Sequence, residues 1–125
     1  MTDDVNHIVV GFTDPAQIQA GFDRLGVLAE ATPLRIVDVE FIHSIHGVAS
    51  TVKASGVAPG LAGYDAADAQ LLGQADLDVV AGAIPVGSMA AVVVYSGAPI
   101  LPVLAEWSRD GAAVIREGHG SSLVG

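Results

Sequence analysis

Between Asp78 and Glu106 the chain runs for 27 residues without a charged side chain. A stretch of that length either crosses a bilayer or lies inside a protein core. The prolines decide between the two. Pro85, Pro99 and Pro102 interrupt it, with Gly82, Gly87, Ser96 and Gly97 beside them, and its longest proline-free part, Val86–Ala98, is 13 residues. As a helix that part would reach roughly 20 Å, short of a hydrocarbon core of about 30 Å. Its nearest charged flanks are acidic, so no Lys or Arg sets a cytoplasmic side. The stretch (79–105) is therefore expected to hold a fully buried central strand, Met89–Tyr95 (MAAVVVY), followed by a buried helix, and no membrane span.

The rest of the chain reads as short alternating elements. His7–Phe12 (HIVVGF) is a β-branched run expected as a buried strand. Asp14-Pro15-Ala16-Gln17 opens a helix: Asp14 caps free amides, Pro15 lacks an N–H where none is needed, and Gln17 holds the reciprocal capping position. Ile18, Phe22, Leu25 and Ala29 follow at helical spacing. Gly21 and Gly26 each lower helix stability by roughly 1 kcal/mol relative to Ala, which points to close packing. Pro33 ends the helix. In Arg35–Ile45 the alternation puts Val37, Val39, Phe41, His43 and Ile45 on one face and Ile36, Asp38, Glu40, Ile42 and Ser44 on the other.

His46-Gly47 is expected to turn the chain into an antiparallel strand, Val48–Ala54, and the glycine-rich, uncharged Ser55–Tyr64 reads as a loop. Asp65 is expected to cap a helix from Ala66 with Leu71, Leu72, Ala75 and Val79 on its apolar face. Gly73 splits it and leaves Gln74–Ile84 as the firmer part. Pro99 and Pro102 suit the first turn of a helix carrying Leu101, Leu104 and Trp107 to Asp110, with Gly111 as its stop. Ala112–Glu117 is a last strand. The order predicts an α+β domain over residues 7–118, with residues 1–6 and 119–125 as tails, the latter flexible. Its expected fold is a ferredoxin-like split βαβ sandwich (β-α-β-β-α-β), helices on one face, with an added C-terminal αβ unit.

Charge and composition narrow the function classes. Five basic against 14 acidic residues give a net charge of −9, which argues against a nucleic-acid-binding surface and against docking on anionic lipid, so neither partner is expected. The absence of cysteine removes disulfides, thiol catalysis and Cys-ligated metal. The acidic start Met-Thr-Asp-Asp-Val-Asn-His lacks the basic opening of a signal peptide, so a cytoplasmic location is expected.

Arg35–Ile42 (RIVDVEFI), the acidic segment with Asp76-Leu77, and Pro85–Tyr95 (PVGSMAAVVVY) resemble an uncharacterised, mainly actinobacterial family of small α/β proteins. That family is related to proteins described as membrane- or stress-associated. The resemblance extends from about His7 to Glu117, and its motifs are structural, so it implies a fold and no reaction. Relatives carry charges in the hairpin turn, where this chain has His43-Ser44-Ile45-His46-Gly47, and an acidic residue after the strand, where it has Ser96.

Few residues offer chemistry. His43 and His46 lie three apart at a strand end, in no zinc spacing, and no metal is expected. Asp38 and Glu40 share a strand face about 7 Å apart, as an acid–base pair or as a solvated strand face. Asp38, Glu40, His43 and His46 are thus the candidate ligand-binding residues. Gly56–Gly63 and Gly118–Gly125 lack the lysine and the strand-to-helix context of phosphate loops, and Lys53, the one lysine, falls in an expected strand. No nucleophile elbow is present, so no catalytic residue and no cofactor is expected.

With charged residues at 15% against about 25% in an average domain, apolar surface is expected to be covered by another copy. A homo-oligomer joined through Val92, Val94, Val114 and Ile115 is the leading expectation, with a structural or stress-related role implied by the resemblance alone. Two alternatives stand beside it. One is a dimeric α+β barrel enzyme with a pocket near His43, Asp38 and Glu40. The other is a small-ligand sensor using residues 55–64 as a lid.

Overall fold

The computed structural model describes residues 5–45, 48–121 and 123. Strand β1 (Asn6–Phe12) leads into helix α1 (Ala16–Ala31), whose start follows the expected cap. Asp14 Oδ1 accepts the Ala16 amide at 3.0 Å, and Gln17 Oε1 accepts the Thr13 and Asp14 amides at 2.8 and 3.1 Å. Strands β2 (Arg35–Ile45) and β3 (Val48–Val52) form the expected hairpin, and the turn residues His46 and Gly47 lie outside the described residues. After a short α2 (Ala54–Val57) and a 3₁₀ segment (Pro59–Ala67) come α3 (Gln74–Ala83), β4 (Met89–Ser96), α4 (Leu101–Arg109) and β5 (Ala113–His119).

The five strands form one antiparallel sheet in the order β3-β2-β4-β1-β5. Met89–Tyr95 is the central strand, as its uninterrupted apolar run requires. The order differs from the expected assignment. β4 separates β1 from β2, which therefore run parallel to each other on either side of it, while β3 is pushed to one edge and β5 takes the other. Helix α1 thus connects two parallel strands that have β4 between them, and the segment from β3 through α3 is inserted between β2 and β4 along the chain.

That insertion changes the layering. On one face Ile8, Val10, Val39, Phe41, Ala91 and Val93 pack against α1 and α4. On the other, Val9, Ile42, Ala90, Val92 and Val94 pack against Leu77, Val80 and Ile84 of α3. Helices therefore cover both faces rather than one. Phe22 of α1 anchors the first layer, with Phe41, Tyr64 and Trp107 ring centroids at 5.3, 5.0 and 5.3 Å, the last two edge-on. Trp107 Nε1 donates to Ile18 O at 3.2 Å, which ties α4 to α1.

Ser55–Tyr64 is helical rather than a loop. Pro59 sits at the head of the 3₁₀ segment, Leu61 is fully buried, and the Tyr64 hydroxyl donates to Phe22 O. Leu61 is the one fully buried residue of this stretch, with Val57, Ala58 and Tyr64 partly buried against the core and the remaining residues exposed. No helix starts at Ala66: Asp65 accepts the Ser55 amide instead, and helix α3 begins after Gly73, whose amide donates to Asp76 Oδ2 at 2.9 Å. In α4 the inward residues are Val103 and Trp107, preceded by Ile100, and Leu101 is 70% exposed, so the expected apolar face is rotated. Residues 119–125 are not wholly a free tail, since Leu123 is buried against the α3 layer and its amide donates to Asp76 Oδ1 at 2.8 Å. Among the described residues no helix is long and apolar enough to cross a membrane.

Candidate functional site

Strand β2 carries a bulge. Ile36 pairs with Tyr95 and Asp38 with Val94, leaving Val37 as the extra residue. Below the bulge the alternation shifts, so Ile36 joins the α1/α4 layer and Val37 the α3 layer, opposite to the simple alternation. From Asp38 onward the expected faces hold. Asp38 and Glu40 point into the α3 side, at 0% and 3% exposure.

Two carboxylates buried side by side need compensation. It comes from the backbone that crosses over them between the 3₁₀ segment and α3. The Ala69 and Leu71 amides donate to Asp38 Oδ1 and Oδ2 at 2.7 and 3.4 Å, and the Leu72 amide donates to Glu40 Oε2 at 3.1 Å. Burial, first of all, pushes the Glu40 carboxyl up to about 8; a side-chain hydrogen bond to Asp38 and repulsion from Asp38 and Asp68 add to this, against the Leu72 amide. Glu40 therefore holds its proton well above the ordinary carboxylate range. Asp68 brings a third carboxylate, and one oxygen of each lies within 4.8 Å of the others.

The pair is sealed from solvent by residues 69–72. Beside it, at the open edge of β2, a cleft of about 220 Å³ is lined by Val39, Phe41, Lys53, Tyr64, Asp65 and Asp68, so Asp68 alone of the three carboxylates reaches it. In this arrangement the two carboxylates hold a chain segment, and neither lines that cleft.

The four candidate ligand residues do not converge. Asp38 and Glu40 are together, His43 lies on the opposite face between Ser50 and Met89 of the neighbouring strands, and His46 is outside the described residues. Among the described residues the buried His43 Nδ1 has no hydrogen-bond partner, nor has His7 Nε2, whose ring rests on Gly118. A Cβ at Gly118 would fall 2.6 Å from His7 Cε1, so that glycine makes room for a side chain. Asp68 and Asp76 were not singled out by the sequence reading as site residues. For Asp76 the available signal was an acidic residue three positions after a glycine at a helix start.

Of the expected association residues, Val92 and Val94 are consumed by the α3 layer, at 1% and 0% exposure within the single chain. Val114 and Ile115 lie half-buried on the edge strand β5. Between β5 and α3 runs an apolar groove, with one cavity of about 140 Å³ lined by Val9, Val79, Val80, Ala83, Ile115 and Arg116. A second, of about 270 Å³, continues it past Gly11, Ile84 and Pro85. Comparison with protein-family models, with curated proteins and with solved structures finds no match.

Proposed function

We propose that this chain is a non-catalytic module that self-associates through the free edge of β5. The observation that supports it is the coverage of the sheet. Both faces carry the chain's own helices, while among the described residues β5 pairs only with β1 and its outer backbone groups have no strand partner. An edge strand of this kind is a template for a further strand. Val114, Ile115 and Arg116 remain half-buried there, and the other edge, β3, is shorter and runs into Lys53.

The same coverage disfavours a dimeric α+β barrel, because the sheet face through which two such domains would enclose a pocket is occupied by α3. A ferredoxin-like core of β1, α1, β2, β4, α4 and β5 with β3–α3 inserted is the topology we ascribe to it. A cytoplasmic location and a structural or stress-related role accompany this reading as proposals, the role resting on the family resemblance alone.

Light scattering after size exclusion tests it. The expected native mass is twice 12.6 kDa, and placing lysine at the exposed edge positions Ala113 and Glu117 should return the mass to 12.6 kDa with an unchanged circular dichroism spectrum. A wild-type mass of 12.6 kDa at high micromolar concentration refutes the proposal.

A further inference from the structure

We propose that the Asp38–Glu40 pair is a proton-operated clamp, which holds residues 69–73, and the start of α3 behind them, on the sheet while one proton is shared and releases them when it is lost. The geometry is specific. Three amides of one segment, Ala69, Leu71 and Leu72, end on two carboxylates of one strand, and the next residue, Gly73, opens α3. The groups facing Glu40 are Asp38 on its own strand and Asp68 from the segment packed above it. The adjacent residues of β4 are Val92 and Val94, and Asp76 of α3 is engaged by the Gly73 and Leu123 amides.

No cation faces the pair among the described residues. Ionised together, Asp38 and Glu40 would place two like charges in contact in a buried site, a third carboxylate beside them. Amide dipoles do not offset that, and the route to hydration is for residues 69–73 to lift. The direction follows from linkage. In the open form Glu40 meets water and regains its ordinary value of 4.5, whereas in the closed form it is held up to about 8. Between those values the closed form keeps a proton that the open form has lost, so rising pH favours opening, and the effect levels off above the upper value. Lifting the segment withdraws Leu72 from the apolar layer that contains Ile42, Val92 and Val94.

The test is amide hydrogen exchange on the full chain, expressed as protection factors so that the intrinsic base-catalysed rate is divided out. Between about pH 5.5 and about pH 8.5, protection at Ala69, Leu71 and Leu72 should fall by about tenfold or more, with a ceiling of about tenfold per pH unit for one proton. Core amides such as Val10 and Val93 should keep theirs. Glu40→Gln, whose amide group donates to Asp38 without an ionisation, should abolish the fall while matching wild type at the acid end. Should Glu40→Gln fail to fold, the carboxyl carbon shift of Glu40 followed by NMR in the wild type should titrate over the same pH range as the fall in protection, and a Glu40 carboxyl already ionised at about pH 5.5 overturns the proposal. Constant protection in the wild type, an equal fall in the variant, or a fall spread evenly over β1 and β4 overturns the proposal.

Discussion

Helix α1 contains two glycines five residues apart, and the structure assigns them opposite consequences for the same substitution. An added Cβ at Gly21 would lie 2.1 Å from Trp107 Nε1 and 2.2 Å from Cδ1, whereas at Gly26 the nearest atom is Tyr64 Oη at 3.5 Å, an ordinary contact. Both exchanges to Ala gain up to about 1 kcal/mol of helix propensity. At Gly21 the indole must retreat by more than about 1 Å to recover normal contact distance. It cannot retreat freely, since the ring is fully buried, stacked edge-on against Phe22 and bonded to Ile18 O. Overpacking of about 1–3 kcal/mol plus a lost hydrogen bond of about 1 kcal/mol outweighs the propensity gain.

Gly21→Ala should therefore destabilise the protein by about 1–3 kcal/mol, and Gly26→Ala should stabilise it by about 0.5–1 kcal/mol. Urea denaturation reads both, with the single Trp of the chain, Trp107, as the fluorescence probe. A Gly21→Ala variant at least as stable as wild type would refute the seating of Trp107 on Gly21. Parallel shifts in the two variants would refute the contrast.

Other outcomes follow from contacts already described. Gly118→Ala should cost about 1–3 kcal/mol by displacing the His7 ring, measured as a lowered denaturation midpoint with an unchanged slope. Tyr64→Phe should cost about 1 kcal/mol, because the hydroxyl's hydrogen bond to Phe22 O is lost, and thermal melting monitored by circular dichroism checks it. Asp76→Ala leaves the Gly73 and Leu123 amides unpaired, so a loss of about 1–3 kcal/mol is expected, with carboxypeptidase trimming the C-terminus faster than in wild type.

The features legible in the sequence were those set by neighbours along the chain. The Asp14–Gln17 cap, the helical stripe through Phe22 and the unbroken apolar strand need only local geometry to be recognised. The strand order was not legible, since the alternation within β1, β2 and β4 is the same whichever strand lies between the others. The bulge at Val37 is equally silent, because its extra residue is defined by register against β4. Asp38 and Glu40 could be singled out from their spacing. Their burial, however, depends on amides about thirty residues further on, in a segment that reads as helix and folds as a crossover held by those carboxylates.

The central place of β4 also governs how the chain can assemble as it is synthesised. Until residues 89–96 have left the ribosome, β1 and β2 have no strand between them, and the β2–β3 hairpin is the one sheet contact the emerging chain can make. β4 then joins both halves through pairings distant in sequence, with β5 still to be added beside β1, and non-local pairing of this kind slows folding. For that interval the apolar faces of β1 and β2 stand open, and a chaperone that retains the nascent chain past Ser96 would protect the stage at which it is most prone to clump.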